Sequence, residues 1–253
     1  MIDIFIKSYR NDFKLLNYAL RSIQTNVTGY RRVVLLIPLG DMVLFNERVI
    51  IPSGLSVMID FVDEYGNGYL FQQWCKISAH NYTDADFILF ADSDCIFDKK
   101  FDISEYVASG KPDLLYTDYL KVGAAICWKA PTEAFIKTVQ DYEFMRRNCL
   151  IYHRSTLEAI EKYEPNLEYN IMSSNSFSEF NAIGAFAFQY EKEKYNFINT
   201  DSIGIDPTIQ NVQPLAIQLW SYADKNNRDK FHQTEYARTR KVIKEVFNEE
   251  ISW

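Results

Sequence analysis

Two carboxylates stand one residue apart at the end of an apolar run. Asp92 directly follows the apolar run 87–91, and Ser93 separates it from Asp94. Carboxylates this close repel each other, and each is costly to remove from water unless a cation lies between them. Oxygen ligands from carboxylates, completed by phosphate oxygens and water, suit Mg²⁺ or Mn²⁺. The pattern therefore indicates a clamp for a metal-bound diphosphate. The alternative is a plain turn whose side chains bond to nearby backbone N–H groups.

A predicted helix upstream carries a polar stripe. Gln72, Lys76 and His80 are four residues apart, with Gln73 alongside, so they share one face of a helix. The stretch 66–68, Gly-Asn-Gly, opens that helix and would let an anionic oxygen approach its N-terminus. Lys76 is then placed to meet a diphosphate as a point charge. The alternative is a solvated helix face, which is the interpretation that we prefer for His80.

The elements that must position these residues are written as apolar strands separated by helical patterns. Strands are predicted at 2–6, 33–38, 57–62 and 87–91, with helices after Asn11 and Asp12 and at 70–82. Continuous apolar strands of this kind predict a mostly parallel sheet covered on both faces. Ligands bind beyond the carboxyl ends of such strands, which is where Asp92 and Asp94 fall.

The alternation weakens after Asp94. Strands are predicted at 114–119 and 124–128, helices at 131–142, 155–163 and 234–248, and a loop at 173–178. A length of 253 residues with 47% hydrophobic residues supports one substantial core. We predict a single domain over 1–253, with a nucleotide-binding half at 1–98 and a second half at 99–253 that ends in a helix.

Bulk composition excludes several classes of protein. The formal net charge of −7 argues against a protein that coats nucleic acid by overall positive charge. The four cysteines form no C-x-x-C pair, so neither a zinc site nor a redox dithiol is indicated, and we expect reduced, mostly buried thiols. The start carries Asp3 and fails as a secretory signal, and no run approaches the ~18 apolar residues of a membrane helix. These features predict a cytosolic protein without a transmembrane segment.

Several short motifs together resemble a known family. They are Ser8-Tyr9-Arg10-Asn11-Asp12, then Gly68-Tyr69, Gln72-Gln73 and Lys76 on one helix, then Asp92-Ser93-Asp94, and later Ser178-Glu179-Phe180 with Gly184. This set resembles a group of bacterial and phage glycosyltransferases of the GT-A fold, which includes relatives of the base J glucosyltransferase that acts on hydroxymethylated thymine in DNA. The stretch 68–94 is the specific part. Tyr69 stands where the group commonly has Trp, which keeps an aromatic face.

The resemblance implies a GT-A-like, Rossmann-type nucleotide-sugar fold with a mostly parallel central sheet and helices on both faces. It also implies two sets of ligand-binding residues. The nucleotide-sugar set is Ser8, Tyr9, Arg10, Asp63, Gln72, Gln73, Lys76 and Ser93. The set for Mn²⁺ or Mg²⁺ is Asp92 and Asp94, with His232 as a candidate third ligand because many enzymes of this fold bring a C-terminal His to the ion.

The expected reaction moves a sugar from a nucleoside-diphosphate sugar, in the first place a UDP-sugar, to a hydroxyl acceptor. The metal and Lys76 would stabilise the departing diphosphate. Glu179 is the candidate general base and Asp118 is the reserve. The sequence does not choose between inversion and retention of configuration.

The acceptor is predicted from local charge and from the resemblance. The stretch 225–244 contains seven basic residues and two acidic ones. Such basic clusters can bind DNA phosphates while a base is flipped out of the stack. The expected acceptor is a 5-hydroxymethylated pyrimidine in phage DNA, in the host cytoplasm, and the composition is rich in Asn, Lys, Ile, Phe and Tyr as an AT-rich phage genome would encode. Acceptor-binding candidates are Arg146, Arg147, Arg154, Arg238 and Arg240. Alternatives are bacterial surface polysaccharide or lipopolysaccharide assembly on anionic lipid, a nucleotidyltransferase, and a nucleotide sensor without enzymatic activity.

Overall fold

The computed structural model describes residues 1–206, 212, 214–219 and 230–251. The strands in this part of the chain are β1 Ile2–Lys7, β2 Val27–Thr28, β3 Arg32–Pro38, β4 Val57–Val62, β5 Phe87–Phe90, β6 Cys95–Ile96, β7 Phe101–Asp102, β8 Asp113–Asp118, β9 Tyr142–Glu143, β10 Ile151–His153, β11 Asn196–Asn199 and β12 Ile217–Gln218. The α-helices are α1 Phe13–Asn26, α2 Met42–Arg48, α3 Gly68–Ile77, α4 Lys129–Ile136, α5 Arg154–Tyr163, α6 Leu167–Met172, α7 Glu179–Tyr190 and α8 Lys230–Phe247.

A five-stranded sheet in the order β10-β5-β1-β3-β4 forms the centre of the molecule. The pairs β1–β3, β1–β5 and β3–β4 are parallel, and only β10 runs antiparallel to its neighbour β5. This confirms the predicted mostly parallel sheet. Smaller sheets flank it, the largest of which is β11-β8-β9.

Both faces of the sheet are buried because side chains of each strand alternate between two apolar clusters. Phe5 of β1 packs in the cluster that holds α3, α5 and α7. Ile4 and Ile6 pack on the other face with Phe13 and Leu16 of α1. The α8 helix then packs on α1 in a third cluster. Helices therefore cover both faces, as the continuous apolar strands predict.

Two of the elements predicted for the second half differ in the structure. Residues 124–128, predicted as a strand, lie in a 3₁₀ helix over Gly123–Trp128. The small residues of this stretch do not alternate with polar ones, so nothing in it enforces the period of two that a strand needs. The helix predicted over 131–142 begins at Lys129 and ends at Ile136, where Lys137 adopts a left-handed φ of 56°. Pro131 lies in the first turn, where its missing N–H costs nothing.

Two further features concern the membrane and the cysteines. Among the residues described, no helix is long and apolar enough to cross a membrane. Three of the four cysteines are buried free thiols, in line with the expectation from sequence, whereas Cys127 is exposed. Cys127 lies on the 3₁₀ helix that replaces the predicted strand.

Candidate active site

A buried lysine joins two carboxylates beyond the end of β5. The Lys76 Nζ lies 2.7 Å from Asp92 Oδ1 and 2.9 Å from Glu179 Oε1. The side chains of Lys76 and Glu179 are 5% and 4% exposed, whereas that of Asp92 is 28% exposed. We call Lys76, Asp92 and Glu179 the charge cluster. Its first and last members, Lys76 and Glu179, are 103 positions apart in sequence, and one ammonium pairs with two carboxylates.

The members of the charge cluster shift one another's pKa values. Burial alone lowers the pKa of Lys76, but the charges and hydrogen bonds of Asp92 and Glu179 outweigh burial and raise that pKa. Burial raises the pKa of Glu179, and Lys76 offsets only part of that effect. Lys76 therefore stays an ammonium at neutral pH, while Glu179 holds a proton more readily than an ordinary glutamate.

Two amides of α3 hold the cluster in place. Gln72 Nε2 lies 3.5 Å from Asp92 Oδ1. The backbone N–H of Glu179 donates to Gln73 Oε1 at 2.9 Å, so Gln73 fixes the start of α7. Gln218 of β12 reaches Asp92 Oδ2 at 3.3 Å. Of these three, only Gln218 is absent from the sequence prediction, because β12 is too short to carry a pattern.

The start of α3 differs from the sequence prediction. Asn67 accepts hydrogen bonds from the backbone N–H groups of Tyr69 and Leu70. An approaching phosphate would bind these same N–H groups. The Asn67 side chain therefore occupies the position that was predicted for an anionic oxygen. His80 also departs from the solvated face predicted for it, because it is buried and its Nε2 lies 3.0 Å from a carboxylate oxygen of Glu161.

The charge cluster lines a cavity of about 400 Å³, which we call the cluster cavity. Its wall combines apolar side chains with buried charged ones. The lining residues outside the charge cluster include Tyr69, Gln72, Gln73, Phe90, Cys127, Trp128, Glu143, Met145, Arg146, Arg147, Asn148, Phe180 and Gln218. A largely apolar cavity with a few convergent polar groups is the usual form of a ligand site.

Ser93 and Asp94, the other two members of the turn, lie near the residues that follow β1. The Ser93 hydroxyl donates to Asp12 Oδ2 at 2.8 Å. Asp12 begins α1 but its carboxylate makes no capping bond there, so it anchors the turn instead of the helix. Asp94 is buried, and burial together with the charges of Asp12 and Asp94 raises the pKa of Tyr9. The turn therefore links the charge cluster to the loop after β1.

A second cavity of about 620 Å³ lies at that loop, and we call it the loop cavity. Tyr9, Arg10 and Asp63 all line it, so the structure brings together three of the residues predicted for nucleotide binding. Arg10 is held by Asp41, whose carboxylate lies 2.5 Å from its Nε and accepts its backbone N–H at 2.8 Å. Ser8 is buried beside them and its backbone N–H donates to the carbonyl of Leu36, on the neighbouring strand β3.

The predicted metal ligands are only partly assembled. Asp92 and Asp94 share one turn and present the hard oxygen donors that Mg²⁺ and Mn²⁺ prefer. The described part of the chain holds no group of three or more His, Cys, Asp or Glu residues that could bind a metal ion. His232 lies in the first turn of α8, a helix that packs on α1. The two aspartates fit a divalent cation that takes its other ligands from a bound donor and water.

The predicted acceptor-binding arginines are separated by the fold. Arg146 and Arg147 line the cluster cavity and are 1% and 7% exposed, so they cannot form an outer surface. The Arg146 Nη1 lies 3.3 Å from Glu143 Oε2. Arg154 binds Glu158 and its backbone N–H donates to Asp86 at the start of β5, which is the opposite end of that strand from Asp92.

The C-terminal arginines lie on the exposed face of α8. Arg238 pairs with Glu235 at 3.0 Å and Arg240 pairs with Glu250 at 3.2 Å. Lys225 and Arg228 of the predicted basic stretch lie outside the described residues. Asp118, the reserve base, is absent from the wall of the cluster cavity, and its carboxylate accepts the backbone N–H of Leu120.

Sequence reasoning missed Glu143 and Trp128. Glu143 is 1% exposed and burial raises its pKa against the opposing effect of Arg146. Asn181 of α7 donates to Glu143 Oε1 at 3.4 Å and accepts the backbone N–H of Phe144 at 2.8 Å. No motif surrounds Glu143, so only the fold shows it. Trp128 was placed in a predicted strand, and its position just before Lys129 and the helix-favouring residues that follow was the available signal.

Comparison with known proteins supports the fold alone. No family model matches the chain, and no curated protein matches it. The crystal structure of the galactosyltransferase LgtC, in complex with donor and acceptor sugar analogues, is similar to this chain with a TM-score of 0.56. The likeness covers 97% of this chain and 96% of LgtC, at 14% sequence identity. LgtC has a GT-A fold, so the predicted fold class is confirmed.

Proposed function

We propose that the chain is a glycosyltransferase that moves a sugar from a nucleoside-diphosphate sugar to a hydroxyl acceptor in the cluster cavity. One observation carries this proposal: within a GT-A fold, the Lys76 ammonium lies between Asp92 and Glu179 at the carboxyl end of β5. That edge of a parallel sheet is where ligands bind. The likeness to LgtC, a galactosyltransferase bound to donor and acceptor sugar analogues, supports the same class of reaction.

The donor would extend over both the loop cavity and the cluster cavity. The nucleoside would occupy the loop cavity with Tyr9, Arg10 and Asp63, and the sugar would extend into the cluster cavity. Asp92 and Asp94 would hold Mn²⁺ or Mg²⁺, which supplies charge neutralisation of the leaving diphosphate when bound. Ser93 positions the turn through its bond to Asp12 rather than by touching the sugar.

The chain's own residues supply the remaining chemistry. The acceptor oxygen forms a bond to the anomeric carbon while the bond from that carbon to the diphosphate oxygen breaks. Glu179 takes the acceptor proton on its carboxylate if the configuration inverts, and its raised pKa suits a general base near neutral pH. Lys76 holds Glu179 in place through its ion pair with that carboxylate. The same ammonium contacts Asp92, so its positive charge would lie near the leaving diphosphate.

The test is release of nucleoside diphosphate from a panel of UDP-sugars, with Mn²⁺, with Mg²⁺ and with chelator. We expect metal-dependent release from one or a few donors, because the carboxylates of the turn need a cation to hold a diphosphate. Pyrophosphorolysis of the nucleotide sugar, which yields a nucleoside triphosphate and a sugar 1-phosphate, would assign the chain to the nucleotidyltransferases instead. Binding of donor with no turnover under any condition would favour a nucleotide sensor.

We propose a 5-hydroxymethylated pyrimidine in DNA as the acceptor. The support for it is the sequence resemblance, together with Arg238, Arg240, Lys241 and Lys244 on the exposed face of α8. Glutamates partly neutralise this face, since Arg238, Arg240 and Lys244 each pair with one. A DNA contact here is therefore confined to a short stretch of phosphates.

The acceptor is tested by mass spectrometry on duplexes that contain 5-hydroxymethylcytosine or 5-hydroxymethyluracil. We expect the duplex to gain the mass of one sugar, at a rate that falls as salt rises because phosphate contacts release counterions. Unmodified duplex is the control. Transfer to free or lipid-linked saccharides alone would replace the DNA acceptor by a surface glycan and leave the proposed reaction intact.

A further inference from the structure

Two stacked aromatic rings belong to the lining of the cluster cavity, and we call them the aromatic wall. The rings of Tyr69 and Trp128 have centroids 6.5 Å apart and planes 23° from parallel. Tyr69 comes from the first turn of α3, and Trp128 ends the 3₁₀ helix before α4. Tyr69 is 48% exposed although it lines a cavity. The two rings therefore expose aromatic surface to a ligand that enters the cavity.

This aromatic wall lies beside the candidate base. After burial, the charge of Glu179 is the next largest cause that raises the pKa of Tyr69, to about 12. The phenol therefore stays protonated, and it donates to the carbonyl of Phe177 at 3.3 Å. Phe177 is two residues from Glu179, so the same hydrogen bond ties the wall to the start of α7.

Polar side chains also line the cluster cavity. Arg146 and Asn148 belong to its wall, and Asn148 donates to the carbonyl of Ala216, which holds its amide in place. A ligand in this cavity thus meets aromatic rings as well as fixed polar groups. That combination is suited to a ring with an apolar face and polar edges.

We propose that Tyr69 and Trp128 form the acceptor subsite, where a six-membered ring of the acceptor stacks with its hydroxyl directed at Glu179. The proposal rests on the proposed function and adds to it which residues select the acceptor. The required chemistry is a ring with a flat or apolar face, which a pyrimidine base and a pyranose share. Tyr69 and Trp128 act as specificity residues in this proposal, because their rings contact the acceptor and neither side chain exchanges a proton.

The first test separates acceptor binding from donor binding. Trp128→Leu and Tyr69→Leu should raise the KM for the acceptor by roughly 5- to 150-fold, the range that loss of one ring stack produces. The KM for the donor should not follow it. Trp128→Phe and Tyr69→Phe keep a ring and should recover most of the loss. Tyr169→Leu, an exposed aromatic on α6 that lies outside the cavity wall, is the matched control.

A second test needs no turnover. Titration of the protein with 5-hydroxymethyl-2′-deoxyuridine or with a methyl pyranoside should change tryptophan fluorescence, and Trp128→Phe should abolish that change. A response to one probe only identifies the base or the sugar as the ring. No response to either probe, or an acceptor KM unchanged in both leucine variants, would overturn the subsite. Failure of the proposed function is distinct, because it appears as absent donor turnover in the unmodified chain.

Discussion

At the scale of single residues, the charge cluster is a buried lysine that satisfies two carboxylates. Burying charges is costly, and the cost is offset only when each charge keeps its partners. Lys76 meets this condition through its contacts of 2.7 and 2.9 Å. Removing the ammonium would leave Asp92 and Glu179 close together without a cation, so both stability and chemistry depend on it.

Replacement of Lys76 by Met should lower the free energy of unfolding by roughly 3–5 kcal/mol, since it leaves buried acid without a partner. The double variant Lys76→Met with Glu179→Gln should regain much of that stability, because the buried carboxylate is gone. Both variants should lack sugar transfer. Urea unfolding and a transfer assay check this, and a single variant as stable as the unmodified chain would mean that the cluster is not coupled as its distances indicate.

The pH dependence of transfer should report Glu179. A general base works only when deprotonated, and burial raises the pKa of Glu179. The rate should therefore be highest at high pH. It should fall as the pH decreases, over a pH range that lies above the pKa of an ordinary glutamate. This fall in rate at low pH should be absent from the pH profile of Glu179→Gln, a substitution that keeps the shape of the side chain. An unchanged pH profile in that variant would assign the proton to another group.

At the scale of elements, the helix α7 owes its position to one glycine. A Cβ atom on Gly184 would lie 2.4 Å from the Cβ of Phe144, so α7 packs directly against the segment after β9. The same packing sets Glu179 at the start of α7 against Lys76. Gly184 belongs to the motif quoted from the sequence, but its physical role as a close contact is visible only in the fold.

Gly184→Ala should destabilise the chain by about 1–3 kcal/mol, the cost of overpacking a filled core. Gly40→Ala is the matched control, because its nearest neighbour is the end of the Arg10 side chain at 4.0 Å. Thermal unfolding of both variants measures the difference. Equal melting temperatures would show that α7 can move away from Phe144 without cost.

Asn67 makes a second prediction at this scale. Its side chain caps α3, and loss of such a cap costs about 1 kcal/mol. Asn67→Ala should therefore lower stability by that amount, whereas Asn67→Asp should retain it. If the helix start bound donor phosphate instead, Asn67→Asp would weaken donor affinity strongly by charge repulsion, which calorimetry would show.

At the scale of the whole molecule, the sequence predicts the sheet well and the cavity poorly. The continuous apolar strands and the position of Asp92 after β5 follow from local pattern, since burial of both sheet faces leaves its mark on every strand. The lysine bridge was not predicted, because Lys76, Asp92 and Glu179 are brought together only when α3 and α7 pack on the same face of the sheet. Trp128, Glu143 and Gln218 lie on short or irregular segments, where no periodicity exists to detect.

The basic residues show the same limit. The sequence predicts Arg146 and Arg147 as part of an acceptor-binding cluster. In the structure both are buried in the wall of the cluster cavity, where Arg146 pairs with Glu143. Charge counted along a chain does not include partners that come from distant segments. A charge-reversing variant, Arg240→Glu, should therefore reduce binding to duplex DNA and flatten its salt dependence, while Arg154→Glu, at the far end of β5, should change neither.

The central claim is that the acidic turn after β5 holds a sugar donor, and donor binding tests it most directly. Calorimetric titration with UDP-sugar and Mn²⁺ should be repeated on the unmodified chain, on Asp92→Asn and on Asp98→Asn, whose parent residue is exposed just beyond the turn. We predict that Asp92→Asn loses metal-dependent donor binding while Asp98→Asn retains it. Equal donor affinity in the unmodified chain and in Asp92→Asn would contradict the account.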